Sequence, residues 1–168
     1  MKNVIVLIGM MGSGKSTVGK LLAEQLGYTF IDLDDEIEKI ENKKISQIFN
    51  DNGEQYFRKL EKEKIKEFVN TENTVISLGG GTFEDNDTQK ILKNLSTIIY
   101  LKASPIVIFE RIKKEIHRPL LHKNFSVETI EFILEKRKKN YEKAHYKIVT
   151  DRKTPQEIAK EILGVIKW

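Results

Sequence analysis

The run Gly9-Met10-Met11-Gly12-Ser13-Gly14-Lys15-Ser16-Thr17 constrains this chain more tightly than any other stretch. Before it stands Val4-Ile5-Val6-Leu7-Ile8, apolar and β-branched, which reads as a buried parallel strand. After it, Thr17 to Leu26 carries apolar residues at helical spacing, with Gly27 placed as a C-cap. A strand, the pattern G-x-x-x-x-G-K-[ST] and a helix form a phosphate-binding P-loop in the context it requires. Its glycines let successive backbone N–H groups turn inward around phosphate oxygens, and the helix N-terminus adds further donors. Gly12, Ser13, Gly14 and Thr17 are therefore expected in the phosphate cradle. Lys15 is placed to reach the β- and γ-phosphates, and the Ser16 hydroxyl to ligate Mg²⁺.

Composition narrows the setting. At 168 residues, with 39% hydrophobic and 32% charged residues, the chain fits one domain (1–168) able to bury a core. It has no cysteine, hence no disulfide framework and no thiolate metal site. No apolar run is long enough to span a bilayer, and the first strand leaves no room for a leader, so a cytoplasmic protein without a membrane partner is expected. The net charge of +4 raises nucleic acid as a partner. Its lysines, however, mostly alternate with glutamates, as from Leu60 to Glu67, which describes a solvated helix face. Nucleic-acid binding is not expected, and a monomer is.

Four more strand patterns alternate with helical ones: Tyr28–Ile31, Thr74–Leu78, Thr97–Leu101 and Tyr146–Val149. Ser104-Pro105 and the capping box Thr154-Pro155-Gln156-Glu157 each open a helix. Such alternation predicts a parallel sheet covered by helices on both faces, with ligands at the carboxyl ends of its strands. The P-loop, Asp32-Leu33-Asp34 and Gly79-Gly80-Gly81 all fall at such ends, so they are expected to share one crevice. Residues 112–126 interrupt two helical patterns and carry basic residues around Arg118-Pro119; a closing lid and an ordinary surface loop fit this segment equally.

A P-loop alone does not name a reaction. No guanine-selecting N-K-x-D motif follows a strand, since Asn42-Lys43-Lys44 lacks the aspartate, and the chain is short for a motor ATPase. Asp32 and Asp34 are expected to end a strand with diverging side chains, one toward Mg²⁺ and one toward an acceptor hydroxyl. Helix capping is the competing role for both. Glu54, Arg58 and Glu61 share a helix face, so the carboxylates can fix the Arg58 fork for a substrate carboxylate, with Phe57 as an apolar wall. On spacing alone an exposed salt bridge remains the simpler reading. The three glycines offer close backbone approach to hydroxyls or a carboxylate, and Arg137 and Tyr141 lie one helical turn apart. His117, His122 and His145 lack metal-ligand spacing and read as structural or solvated.

Taken together these residues resemble the shikimate kinase family from Val4 to the last helix. The resemblance rests on the P-loop, Asp32-Leu33-Asp34, Ile45 and Phe49 with Gly53-Glu54, Phe57-Arg58 and Glu61, Gly79-Gly80-Gly81, Arg118-Pro119-Leu120-Leu121, and Arg137 with Tyr141. It implies a P-loop fold like that of nucleoside monophosphate kinases: a three-layer α/β sandwich on a five-stranded parallel sheet ordered 2-3-1-4-5. It also implies ATP-dependent phosphorylation of the 3-hydroxyl of shikimate, with a substrate-binding region near 32–61 and a lid near 112–126. By the same resemblance, Asp34 orients the attacking hydroxyl, and Arg58 and Arg137 grip the carboxylate, with Gly80 and its neighbours Gly79 and Gly81 at the ring hydroxyls. Arg118 meets the ATP phosphates, Asp32 and Ser16 serve Mg²⁺, and Arg111 and Lys153 flank adenine. The alternatives are a related kinase acting on gluconate or a nucleoside monophosphate, and a sensor that binds these ligands without catalysis.

Overall fold

The computed structural model describes residues 3–114 and 126–166. Its centre is a five-stranded parallel sheet in the order β2-β3-β1-β4-β5, as expected. The strands are β1 (Val4–Ile8), β2 (Thr29–Asp32), β3 (Thr74–Ser77), β4 (Thr97–Lys102) and β5 (Tyr146–Val149). Helices α1 (Lys15–Leu26), α2 (Leu33–Glu41), α3 (Ile45–Phe68), α4 (Asn86–Leu95), α5 (Pro105–Lys114), α6 (Val127–Tyr141) and α7 (Pro155–Val165) cover its faces.

Alternation along each strand sorts the core into two layers. Val4, Val6 and Ile8 of β1 join Ile76, Ile98 and Tyr100 against α2, α3 and α4, where Ile37, Ile48, Ile65 and Leu92 are buried. Ile5 and Leu7 face the other way, with Val75, Ile99 and Ile148, onto Val18 and Leu22 of α1 and Ile158 and Ile162 of α7. A third, smaller cluster sets Met10 of the P-loop against Ile108 and Ile112 of α5 and Ile130 of α6. That last contact fixes the P-loop from outside the sheet.

Several boundaries move from where sequence pattern puts them. The second strand begins at Thr29 because Tyr28 closes α1: its N–H donates to Ala23 O at 2.8 Å, beside the left-handed Gly27 cap. That strand ends at Asp32, whose carboxylate accepts from the N–H groups of Asp34 and Asp35 and so caps α2. Asp34 is therefore a first-turn helical residue. It is not the next outward strand position, and the divergence of the two aspartates comes from this change of element, since residues two apart on one strand share a face. Within α3 the helix breaks at Gly53 (φ 82°, ψ 170°), a backbone conformation that side-chain-bearing residues avoid. The segment 54–68 consequently starts a new direction and carries Arg58 and Glu61 toward the sheet's carboxyl edge.

The expected capping box at Thr154 and Glu157 is present on α7. His145 is structural: its Nδ1 accepts from Ile98 N at 2.9 Å, and burial holds its pKa below the ordinary value. Of the expected lid, Ile112 to Lys114 end α5 and Ser126 caps α6. Residues 115–125, with His117, Arg118 and His122, lie outside the described residues.

Helix α1 packs unusually close to the sheet at Gly19. A Cβ there would lie 2.5 Å from Cε2 of Phe30 and 3.2 Å from Cδ1 of Leu7. Gly19→Ala gains up to about 1 kcal/mol in helix propensity but overpacks against Phe30 and Leu7, which typically costs about 1–3 kcal/mol. A net loss of stability is expected, read as a lower urea midpoint with unchanged slope.

Candidate functional site

The chain path makes the crevice. The connection after β1 leads to α1 on one face of the sheet and that after β3 to α4 on the other, so the loops after these adjacent strands part. The P-loop, 9–14, and the triple glycine, 79–81, face each other across that gap. A Cβ on Gly80 would sit 3.4 Å from Met11 N and 3.8 Å from Gly9 O. Three motifs separated by scores of residues meet there, as the strand-end argument requires.

On the donor side, Gly12 (φ 75°) and Gly14 (φ 94°) take left-handed backbone that turns the loop's N–H groups to one side. Lys15 is buried, and its ammonium donates to Gly9 O and Met10 O, each at 2.9 Å, so the cation is drawn over the loop. Ser16 donates to Asp32 Oδ2 at 2.5 Å. This hydroxyl–carboxylate pair suits Mg²⁺, which takes one or two protein oxygens and fills its remaining positions with water and substrate phosphate. Arg111 of α5 donates to Gly12 O at 3.3 Å and, at the same distance, to Thr150 Oγ1 and Thr150 O after β5. It thus joins the P-loop to the segment preceding α7. Lys153 lies in that segment too, but its ammonium pairs with Glu161 of α7 at 2.5 Å.

The acceptor side is built around Glu61, a carboxylate only 2% exposed. One oxygen accepts from Arg58 Nη1 at 2.6 Å and the other from the Thr82 hydroxyl. Glu54 holds the second arm of Arg58 at 3.4 Å. The guanidinium is fixed, as expected from the spacing, and its anchor is a buried carboxylate. An exposed surface pair would aim it far less firmly. Arg137 arrives from α6: its Nη1 donates to Met10 Sδ at 3.6 Å. A Cβ on Gly81 would lie 3.0 Å from Arg58 Nη2 and 3.4 Å from Arg137 Nη2. Two guanidinium groups thus close on one short stretch of bare backbone. Asp34 comes from the opposite side, since a Cβ on Gly79 would meet its Oδ1 at 3.0 Å. The adjoining cavity, about 580 Å³, is lined by Arg58, Glu61, Gly81, Thr82, Glu84 and Arg137 among others.

One expected wall is placed differently. Phe57 is 4% exposed and packs in the core against Phe49, with ring centroids 4.8 Å apart, because the adjacent helix position puts Arg58 toward the cavity and Phe57 inward. It supports the Arg58 guanidinium from behind, 5.5 Å from the ring centroid. Sequence pattern does not reveal the Glu61–Thr82 or Arg111–Thr150 contacts, whose partners are distant in the chain and of common type. The bond from the Tyr141 hydroxyl to Gly80 O, 2.5 Å, has a faint signal in the four-residue spacing of Arg137 and Tyr141.

Comparison with known proteins gives a consistent picture. The shikimate kinase family model matches residues 11–167. The shikimate kinase of Persephonella marina is 50% identical over 163 residues, covering 97% of this chain and 98% of that one. The solved structure of shikimate kinase from Acinetobacter baumannii in complex with shikimate superposes with a TM-score of 0.91 at 32% identity, covering 98% of this chain and 93% of that one. A gluconokinase from Sinorhizobium meliloti shares the fold alone, with a TM-score of 0.63 at 20% identity over 97% of this chain and 90% of that one.

The buried anchor makes a sign-definite forecast. Burial pushes the Glu61 carboxyl above its ordinary value of 4.5, against the bonds from Thr82 and Arg58 that favour the anion. A raised native pKa means that stability linked to this group is full below 4.5 and declines as pH rises through the native value. Glu61→Gln removes that decline. The variant should therefore gain in stability relative to the parent as pH is raised from about 4 to 7, measured as paired urea midpoints.

Proposed function

The chain belongs to the shikimate kinase family, and we propose that it transfers the γ-phosphate of ATP to the 3-hydroxyl of shikimate, giving shikimate 3-phosphate and ADP. The observation that carries the choice of acceptor is the closing of Arg58 and Arg137 on Gly81 with Asp34 at Gly79. Two fixed forks describe the recognition of a carboxylate, and a carboxylate at the other end of the loop describes the recognition of hydroxyls. Shikimate has both groups, held rigidly on one ring. Gluconate is flexible and a nucleoside monophosphate carries a base, for which the described residues lining this pocket offer no stacking ring, Phe57 being turned into the core.

In this reading the P-loop N–H groups and Lys15 hold the β- and γ-phosphates while Arg58 and Arg137 hold the acceptor. The acceptor oxygen attacks the γ-phosphorus, the β–γ bridging oxygen leaves with ADP, and the hydroxyl proton passes to Asp34. Charge builds on the transferring oxygens, where Lys15 stabilises it. Ser16 and Asp32 would hold Mg²⁺, which when bound would supply further neutralisation of the phosphates. Arg111 borders the nucleotide side through its contact with Gly12. Arg118 joins as a further cation on the family resemblance alone, its position lying outside the described residues. Lys153 is proposed at the adenine side only on that resemblance. The reading takes the whole chain as one kinase domain, monomeric and cytoplasmic. No helix among the described residues is long and apolar enough to cross a membrane.

An ADP-release assay over shikimate, gluconate and nucleoside monophosphates tests this directly. Turnover on either alternative with none on shikimate overturns it, and tight shikimate binding by calorimetry with no transfer would favour a sensor. Lys15→Ala should lower kcat by about 10²–10³-fold, the cost of about 3–4 kcal/mol for a group that stabilises transition-state charge. Arg58→Ala should act chiefly on the shikimate KM and leave the ATP KM near its parent value.

A further inference from the structure

Phosphoryl transfer as described makes no use of the Tyr141 hydroxyl, yet that group is held with care. The ring is 1% exposed and stacked on Tyr100 of β4, with centroids 4.9 Å apart and planes at 29°. Its hydroxyl donates to Gly80 O at 2.5 Å, across 61 residues of sequence. Burial pushes its pKa up to about 12, so it is a hydrogen-bond donor at any working pH. One turn earlier on α6, Arg137 approaches the same glycine, since a Cβ on Gly80 would lie 3.1 Å from its Nη1. A single helical turn therefore touches Gly80 twice, at the carbonyl and beside Cα.

The carbonyls of the glycine loop are all engaged. Gly79 O accepts from Thr82 N at 3.2 Å, Gly81 O from Glu84 N at 3.2 Å and Gly80 O from Tyr141. In a trans peptide the C=O and the following N–H point in opposite directions, and no cis bond occurs among the described residues. Holding Gly80 O against α6 thus aims the Gly81 N–H away from that helix. We propose that Tyr141 is a positioning residue for the acceptor: its hydroxyl fixes the Gly80–Gly81 peptide and registers Arg137 against it, so that the loop N–H and the Arg58 and Arg137 forks meet one carboxylate together. Without the phenolic proton, Gly80 O is unpaired beside an apolar ring, and a glycine peptide has little else to prevent its rotation.

The proposal rests on shikimate as the acceptor. Tyr141→Phe keeps the ring and its stacking and removes the hydroxyl, with its bonds to Gly80 O and Arg137. The expected result is a shikimate KM raised about tenfold, equivalent to about 1.4 kcal/mol, with the ATP KM within about twofold of the parent. A shikimate KM unchanged in an active, folded variant overturns the proposal, as does an equal rise in both KM values with a lowered Tm, which marks a merely structural tyrosine. Should the variant not fold, the parent protein gives the answer by NMR. Its Tyr141 ring resonances and Gly81 amide resonance should shift on adding shikimate and not on adding ADP. No shift with shikimate overturns the assignment. Failure of the acceptor reading is recognised separately, because the parent itself would then lack turnover on shikimate.

Discussion

Everything here depends on β1 lying between β3 and β4. The connections after the adjacent strands β1 and β3 leave to opposite faces, and the two glycine-rich loops that begin them lie side by side at the sheet's carboxyl edge, with Arg137 reaching both. The apolar, β-branched composition of Val4 to Ile8 is what demands the central place, since every residue of that strand is buried on one face or the other. Hydrophobic sorting thus comes before chemistry: a strand able to remain exposed would open no crevice.

The two halves of the crevice are stabilised by different physics. On the donor side the backbone does the work, through left-handed glycines, the start of α1 and a lysine bound to the loop's own carbonyls. On the acceptor side, side chains do it. Glu61 is taken out of water at a cost, and its bonds to Arg58 and Thr82 convert that cost into a fixed direction for one guanidinium. Arg137 gains its direction from α6, a helix whose Tyr141 hydroxyl donates to Gly80 O beside it. The donor half is thereby a property of one local sequence, and the acceptor half a property of the assembled fold.

That difference explains what was legible in the sequence. The P-loop, the strand alternation, the capping box at Thr154 and the sheet order implied by family resemblance all agree with the structure, because each is written in contiguous residues or in a whole-chain pattern. The Arg58–Glu61 pair was visible as spacing, but its burial was not, because burial is decided by Thr82 and the glycine loop arriving from β3. Asp32 and Asp34 are legible as residues but not as geometry, since the Asp32 carboxylate caps α2 and puts Asp34 in that helix's first turn. Phe57 went the same way: adjacency to Arg58 suggested a shared cavity, whereas neighbouring helix positions diverge by about 100°, and the ring joined the core.

The engaged carbonyls of Gly79, Gly80 and Gly81 carry a consequence for ligand chemistry. A loop whose acceptors are all satisfied internally can bargain only with molecules that bring lone pairs. An amine set at the corresponding position of a substrate mimic would face the guanidinium cations of Arg58 and Arg137. Inhibitors aimed at this crevice should therefore carry oxyanions or other acceptors on that edge and keep their donors for the Asp34 end. The loop polarises the pocket, with guanidinium groups at its Gly81 end and the Asp34 carboxylate at its Gly79 end.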